Sequence, residues 1–420
     1  MNELRLMIKL KNPDGADGGY RIIAPGFMMA VLFWADKEGH ALPDWTPFAY
    51  VPLISGSGSF DFSGKRAIPE TAVSVLCRAV SEDCSQIREC LQFIPGEIRK
   101  TSAKSYCFAV ASDLHISNKA TPFEKLYDFA TGSDGLLLAG DTVNDGSEQQ
   151  FEFLKSCVME NWRRYGIFLP IYTVAGNHDI PLKPTPSIGK QGQGGYPMFQ
   201  KWMKERNESV GIVWNQDVSG AYAVPMEEHM EIIGIQCVSH FRRFVFHEGR
   251  QLEWLSNHLD ETKGLKWHII LCHAPLLNHN PQRKPGKDAP YLSRDDRLQH
   301  ILDTHRNIIF ISGHTHFSLN NLSGCVEWDE FRENLYLNVG SIRKTTMHTG
   351  EVYVPSMWTE GSGVLLRISE SDLEITTVGL YSGKKQARGY YQFNVKAGQN
   401  HAVYKLQNEV EVEMEQLSVG

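Results

Sequence analysis

The sequence predicts an α/β fold preceded by a β-rich region, and three observations carry that prediction. Short apolar runs such as Leu136–Leu138 alternate with segments whose apolar residues recur at three-to-four spacing, the pattern of buried strands and amphipathic helices. Five of the runs end in Asp, Asn or His, at Asp113, Asp141, Asn177, His273 and His314. Open α/β sheets place their chemistry just past the carboxyl ends of the strands, so these five groups are expected to converge. Residues 1–102 hold no such cluster and show apolar segments separated by Gly, Pro, Asp and Ser, which suggests a β-sandwich.

The chain divides on this reading into an N-terminal β-rich domain over 1–102, a catalytic domain over 103–380 and a C-terminal β-strand extension over 381–420. In the first, Met29–Ala35, Phe48–Ile54 and Ala72–Val80 read as strands, and Ile68–Val80 resembles the late strand of a fibronectin-type-III-like domain. The strand from Tyr106 ends in Asp113-Leu114-His115. Side chains two apart on an extended segment point the same way, so Asp113 and His115 converge while Leu114 packs behind. The Leu136 run stops at Gly140 and presents Asp141. Phe151, Leu154, Val158 and Trp162 form one helical stripe, and Phe168–Ala175 then leads into Gly176-Asn177-His178-Asp179. Strand, helix, strand implies a parallel pair with a right-handed crossover.

Residues 181–210 read as a long loop followed by a short helix around Met198–Lys204, and a loop of that length inside a domain points to function or disorder. Strands at Ile232–Val238, Trp267–His273 and Ile308–Gly313 alternate with helices marked by Leu252, Leu255 and Leu259, and by Leu298, Ile301 and Leu302. Ser293 with Asp296 resembles the N-cap of the latter. The last strand of the series ends in His314-Thr315-His316. Asn334–Gly340 and Gly363–Ser369 read as sheet strands, and Tyr391, Phe393, Val395, then Val410, Val412, Met414, alternate at period two, as half-buried or edge strands do.

Composition narrows the partners. The 420 residues carry a net charge of −7 and no basic stripe, which argues against a nucleic-acid polymer. No apolar run reaches the length needed to span a bilayer, and Met1–Lys11 lacks the apolar core of a signal peptide. The eight cysteines include no CxxC and read as reduced core thiols, so a cytoplasmic protein without a membrane partner is expected. Cys272 precedes His273 on an extended strand, points to the opposite face and reads as a core thiol. His268 and His279 read as non-ligands, with His279 near enough to line the site; His240 reads as a substrate contact or a loop residue.

The gathered donors are Asp113, His115, Asp141, Asn177, His273, His314 and His316, with His178 and Asp179 beside them. Imidazole, carboxylate and amide without thiolate suit Zn, Mn, Fe, Ni or Co and not a structural cysteine-type zinc site. This set is too large for one tetrahedral ion and large enough for two ions sharing one carboxylate, for which Asp141 is the candidate. Two ions held about 3.5–4 Å apart clamp a phosphoryl group for in-line displacement.

The motifs Asp113-Leu-His115, Gly140-Asp141, Gly176-Asn-His-Asp179, His273 and Gly313-His-Thr-His316 resemble, in kind and order, those of the calcineurin-like metallophosphoesterases, across residues 105–345. That resemblance implies a four-layer α/β/β/α sandwich. It assigns Asp113, His115, Asp141 and His316 to one ion and Asp141, Asn177, His273 and His314 to the other, and Glu248–Leu255 looks like the family's helix before the His273 strand. It further implies that a hydroxide bridging two divalent or trivalent ions attacks a phosphate ester. His178 would stabilise or protonate the leaving group, and Asp179 would fix the His178 tautomer. Asp145 stands where the protein Ser/Thr phosphatases of the superfamily carry an Arg, so the motifs look most like the cyclic-nucleotide and small-phosphodiester branch. Arg242, Arg243, Arg283 or Arg343 entering from a loop would restore the missing charge. The alternatives are a phosphomonoesterase, a protein phosphatase or a nuclease on the same dinuclear site, and a non-catalytic metal-binding scaffold.

Overall fold

The computed structural model describes residues 4–9, 19–42, 47–61, 69, 71–83, 85–93, 105–119, 121–130, 133–165, 169–180, 195–209, 211–227, 229–236, 246, 250–276, 278–280, 296–316, 319, 325–342, 361–369, 372–380, 388–396, 399–406 and 411–413. His240, Arg242, Arg243, Arg283, Ser293, Arg343, Val410 and Met414, and residues 181–194 and 210 of the 181–210 segment, lie outside the described residues.

The N-terminal strands are Arg5–Lys9 (β1), Gly19–Ile23 (β2), Met29–Ala35 (β3), Ala49–Pro52 (β4), Ser57–Asp61 (β5), Ser74–Val80 (β6) and Ile87–Phe93 (β7). They form two antiparallel sheets, ordered β1-β2-β5 and β4-β3-β6-β7. One apolar core joins them: Tyr20, Ile22 and Phe60 from the first sheet meet Leu32, Trp34, Val51 and Cys77 from the second. Every residue of β3 is buried, and the period of two divides them. Ala30, Leu32 and Trp34 enter the N-terminal core, while Met29, Val31 and Phe33 enter the core of the rest of the chain. One strand thus seals two cores. At this junction Gly211 has φ 91, and a Cβ there would overlap the Phe33 ring.

The remaining elements are Ser105–Ala111 (β8), Thr121–Ala130 (α1), Gly135–Leu138 (β9), Glu148–Tyr165 (α2), Ile171–Thr173 (β10), Tyr196–Ser209 (α3), Asn215–Gln216 (β11), Tyr222–Glu227 (β12), Met230–Gly234 (β13), Arg250–Glu261 (α4), Trp267–Leu271 (β14), Asp296–Thr304 (α5), Ile308–Ser312 (β15), Val326–Asp329 (β16), Asn334–Asn338 (β17), Ser362–Ser369 (β18), Asp372–Gly379 (β19), Arg388–Lys396 (β20), Gln399–Leu406 (β21) and Glu411–Glu413 (β22). They build two mixed sheets, ordered β10-β9-β8-β18-β19-β20-β21-β22 and β11-β12-β13-β14-β15-β17-β16. The first has a parallel block β8, β9, β10; the second has a parallel block β13, β14, β15, β17. The C-terminal strands β20 to β22 continue the first sheet in series.

Period two again explains the burial of β13 to β17. Ile232, Ile269, Ile309 and Leu335 enter the large core shared with β8, β9 and helices α1 to α3. Ile233, Ile270, Phe310 and Tyr336 face the other way, against Leu252, Leu255 and Leu259 of α4 and Leu298, Ile301 and Leu302 of α5. Fully burying such aliphatic side chains contributes about 1.5–3 kcal/mol each, so both faces of the sheet are anchored. The stripe Phe151, Leu154, Val158 and Trp162 is buried along α2, as its spacing predicts. Among the described residues, no helix is long and apolar enough to cross a membrane.

The two parallel blocks bring their carboxyl ends together. Ser112, just past β8, bridges Ser341, just past β17 in the other sheet, and the Ile342 N–H donates to the Ser112 carbonyl at 3.2 Å. The loops after β8, β9, β10, β14 and β15 therefore crowd one place.

Candidate metal centre

Asp113 and His115 follow β8, Asp141 follows β9 and Asn177 follows β10; His273 follows β14, and His314 and His316 follow β15. Backbone hydrogen bonds lock the loops to one another. The Asp113 N–H donates to the Gly140 carbonyl at 3.1 Å, that of His115 to the Asp141 carbonyl at 3.0 Å, and that of Gly313 to the His273 carbonyl at 2.9 Å. The Ser341 hydroxyl donates to the Asp113 carbonyl at 2.9 Å and closes the gap between the sheets.

This packing forces the backbone into a conformation side chains avoid. Asp113 (φ 55), His115 (φ 46), Asp141 (φ 51), His314 (φ 69) and His316 (φ 51) all lie in the left-handed region. Such residues cost on the order of 1–3 kcal/mol each and persist where the surroundings over-determine them, which is typical of active sites. Two glycines mark where the approach is closest. A Cβ on Gly140 (φ 86) would run into the His273 imidazole, and one on Gly176 would overlap the Asp141 carboxylate.

The donor atoms converge in three overlapping groups, Asp113 with His115 and His316, His115 with Asp141 and His178, and Asp141 with His273 and His314; within each group they lie within 4.8 Å of one another. His316 Nε2 stands 3.0 Å from Asp113 Oδ1 and 3.0 Å from His115 Nε2. His273 Nε2 stands 3.2 Å from Asn177 Oδ1 and 3.3 Å from Asp141 Oδ2. Donors bound at right angles to one cation at about 2.0–2.2 Å are themselves about 3 Å apart. Lone pairs facing one another at that spacing need positive charge between them. A proton serves one pair at a time, whereas a cation serves three or four donors at once. The residues therefore fit two cations with Asp141 between them.

Further contacts aim the donors. His273 directs Nδ1 at the Ala139 carbonyl, 2.7 Å away, so the hydrogen-bond pattern assigns the proton there and turns Nε2 into the site. Asp113 Oδ2 accepts the His314 N–H at 2.9 Å, and Asp141 Oδ1 accepts the His178 N–H at 2.7 Å. Thr315 donates its hydroxyl to Asn338 Oδ1 at 2.5 Å, and Asn338 Nδ2 donates to Ser312 Oγ and the Gly313 carbonyl. Asn338 and Ser341, which hold the His314 and Asp113 loops, escape a search for ligand types, although Asn338 closes strand β17 at the same end of the sheet as the ligands.

The electrostatics of the cluster are those of mixed charges sharing little water. Burial alone would raise the Asp141 pKa, but His273 and its hydrogen bond hold it at about 2. Burial is likewise outweighed at Asp113, which His316 and His273 hold well below the usual carboxylate range. Burial would lower His273, yet Asp141 and Asp113 lift it to about 10. At His115 and His314 burial prevails and lowers them to about 4 and about 3. Imidazoles so depressed are neutral at pH 7 and keep their lone pairs available for a cation.

His178 and Asp179 part company. His178 Nδ1 donates to the Asn144 carbonyl at 2.7 Å, and its ring stands edge-on to that of His115 with centroids 4.5 Å apart. Asp179 instead accepts the Gly176 N–H at 2.9 Å, the Thr142 hydroxyl at 2.8 Å and the Val143 N–H at 3.0 Å. The expectation that Asp179 fixes the His178 tautomer is therefore corrected. On this tight turn the two neighbouring side chains diverge, and the buried carboxylate satisfies three loop donors. Burial and Asp141 raise its pKa to about 6. The residue that sets the Asn144 carbonyl is Gln150, whose Oε1 accepts the N–H groups of Asn144 and Asp145 at 3.0 and 2.9 Å.

Cys272 is buried in the core against α4 and α5. His268 bonds Glu231, not the site. His279 stacks on Tyr336 at 3.5 Å and bonds Glu327 at 2.8 Å, outside the donor groups.

With the fold and site in view, the chain can be set beside known proteins. Residues 108–318 match the family model described as calcineurin-like phosphoesterase. A probable cyclic nucleotide phosphodiesterase from a Synechococcus species is 26% identical over 186 residues, which are 44% of this chain and 58% of that protein. This chain thus spans less than two thirds of that relative's length. A purple acid phosphatase from yellow lupin is 12% identical with a TM-score of 0.47, over 94% of this chain and 74% of that one. A dimetal phosphatase from Danio rerio is 14% identical with a TM-score of 0.45, over 68% of this chain and 98% of that one. The family match covers half of the sequence and all seven candidate ligands, and the chain belongs to the calcineurin-like phosphoesterase family.

Proposed function

We propose that the chain hydrolyses a small phosphodiester at a dinuclear metal centre. The observation that carries this reading is the position of Asp141, whose carboxylate belongs to two of the three donor groups. Asp113, His115, Asp141 and His316 would hold one ion, and Asp141, Asn177, His273 and His314 the other, with Mn, Fe, Zn, Ni or Co as the metals these donors suit. Two such ions, when bound, supply the Lewis acidity that lowers the pKa of water and neutralises charge on the phosphoryl oxygens.

The side chains around them do the rest. His178 stands within donor reach of His115 and Asp141, close enough to meet a substrate oxygen. Its Nδ1 donates to the Asn144 carbonyl, so Nε2 is the nitrogen left for the substrate, and in the imidazolium form it would give its proton to the leaving oxygen and return to the neutral Nδ1–H tautomer. Asp145, at the position where an Arg would grip a phosphomonoester dianion, instead uses Oδ1 to accept the Ser147 N–H at 3.1 Å. A carboxylate there repels a dianion more than the single charge of a diester. The name of the Synechococcus relative points the same way.

Four finer points belong to the same reading. The layers take the α/β/β/α order of the family. Residues 1–102 form a fibronectin-III-like unit, supported by the three- and four-stranded sheets around one core. The chain divides at residues 102 and 380. It resides in the cytoplasm, in keeping with eight cysteines that include no CxxC.

A kinetic panel tests the substrate. We expect a higher kcat/KM on bis(p-nitrophenyl) phosphate, or on a cyclic nucleotide, than on p-nitrophenyl phosphate. A preference for the monoester that disappears on mutating Arg242, Arg243, Arg283 or Arg343 would overturn the diester reading and identify the dianion clamp.

A further inference from the structure

The candidate ligands come from two different sheets, and a polar tie joins those sheets beside one ligand loop. Gln236 follows β13 in the second sheet. Its Oε1 accepts the N–H of Ala175, just past β10 in the first sheet, and the hydroxyl of Tyr196, both at 2.9 Å. Gln251 in the first turn of α4 holds the Gln236 backbone on both sides, accepting its N–H and donating to its carbonyl, each at 2.8 Å. The carbonyl of Thr173, the last residue of β10, accepts the Tyr222 hydroxyl at 3.0 Å and shares the one Tyr196 hydroxyl proton with Gln236, at 3.2 Å. Tyr222 reaches it by crossing Gly234, where a Cβ would overlap its ring.

This tie is costly as a piece of core. Gln236 is 2% exposed, and its Nε2 has no hydrogen-bond partner among the described residues. Leaving a buried amide half satisfied costs about 1–3 kcal/mol, and an apolar side chain of the same shape avoids that cost. What the glutamine gives in return is a fixed acceptor at Ala175, one residue before Gly176 and two before Asn177. The Gly176 backbone is pressed against Asp141, so a shift of residues 173–175 carries Asn177 away from His273, which faces it at 3.2 Å.

We propose that Gln236 is a positioning residue for the metal centre: it sets the 173–178 loop of one sheet against the other sheet and thereby places Asn177 and His178. The inference rests on Asn177 being a ligand, as proposed above. Hydrogen-bonded groups that orient metal ligands typically change metal affinity about 10- to 100-fold when removed, and Gln236 acts here through one ligand loop and not through both.

The test is calorimetric titration of metal-free protein with Mn²⁺, alongside thermal melts, for the parent, Gln236→Met, Tyr196→Phe and Asn177→Ala. Gln236→Met keeps the volume and loses the acceptor, and is expected to weaken one Mn²⁺ site about 10- to 100-fold while leaving the other unchanged. Tyr196→Phe keeps the Gln236–Ala175 bond and is expected to give a smaller loss at the same site, which preserves the test if Gln236→Met does not fold. Parent-like affinity at both sites with a lowered melting temperature would overturn the inference, and so would equal weakening of both. Asn177→Ala separates the two levels of argument. If it loses one site while Gln236→Met loses none, only the positioning role fails. If it keeps both sites, the ligand reading itself fails.

Discussion

A carboxylate–imidazole cluster lies at each end of the second sheet's strands, the one at the carboxyl end completed by Asp113 and Asp141 from the first sheet, and the two are built on opposite principles. At the amino end Glu231 of β13 lies in register with His268 of β14. Its Oε1 meets His268 Nδ1 at 2.7 Å and the Thr262 hydroxyl at 2.9 Å, and its Oε2 meets His258 Nε2 at 2.7 Å. None of these four residues has a positive φ. At the carboxyl end the acceptors face one another, and five of the residues sit in the left-handed region. Among the described residues, the groups that could hold an ion all lie at this end. Histidine and carboxylate together therefore do not make a metal site. What makes one is donors left pointing at each other, held there by backbone that would relax if it could.

That contrast can be broken at either end. The largest effect is expected from Asp141→Ala, which removes the shared carboxylate; kcat/KM on phosphate esters should fall by several orders of magnitude together with bound metal. His178→Ala should lower kcat about 10²- to 10⁴-fold, the range of a lost general acid. Metal content should hold, because the Asp141 contact is made by the His178 backbone N–H. Loss of metal with unchanged turnover per bound ion would show that His178 serves the ions and not the substrate.

Glu231→Gln should leave turnover and metal content alone and reduce stability to urea by about 1–3 kcal/mol, since the charge is lost and one of the two oxygens that serve the buried His268 and the half-buried His258 becomes an NH2 donor. Its pH dependence sharpens the point. Burial would raise the Glu231 pKa, but the hydrogen bonds from His258 and His268 lower it from 4.5 to about 2. A carboxyl depressed on folding contributes stability that is complete above its unfolded value and is lost as pH falls through the folded one. Parent stability should therefore drop between pH 4.5 and about pH 2 more steeply than that of Glu231→Gln, as followed by urea midpoints. Parallel curves would mean that Glu231 makes no net charged interaction.

The ligand end of this comparison was legible in the sequence because strands buried on both faces read as continuous apolar runs, and their ends are then easy to see. Asp113, Asp141, Asn177, His273 and His314 all stand just past such ends. Placement along the strand also separated His268 from His273, which residue type alone does not. What stayed hidden depends on neighbours distant in sequence. Asp179 adjoins His178 in the chain, yet the turn directs it to Thr142 and Val143. Gln236 has the composition of any surface amide, and its role needs Ala175 and Tyr196 brought from elsewhere. Strand β5 leaves little trace in the sequence because Ser-Gly-Ser-Phe-Asp offers one large apolar side chain, and β7 because an exposed edge strand alternates Ile87 and Leu91 with charge. Helix α1, from Thr121, has Pro122 in its first turn, and its ten residues give too short an apolar stripe to mark a helix.

A count of metal ions per chain separates the two clusters. Parent, Glu231→Gln and Asp141→Ala, each loaded with Mn²⁺, freed of excess and assayed for metal per chain by mass spectrometry, put the two clusters side by side. Two ions per chain are expected in the parent and in Glu231→Gln, and a loss of bound metal in Asp141→Ala. Parent-like metal in Asp141→Ala, or metal lost from Glu231→Gln while the chain remains folded, would place the ions at the wrong end of the sheet.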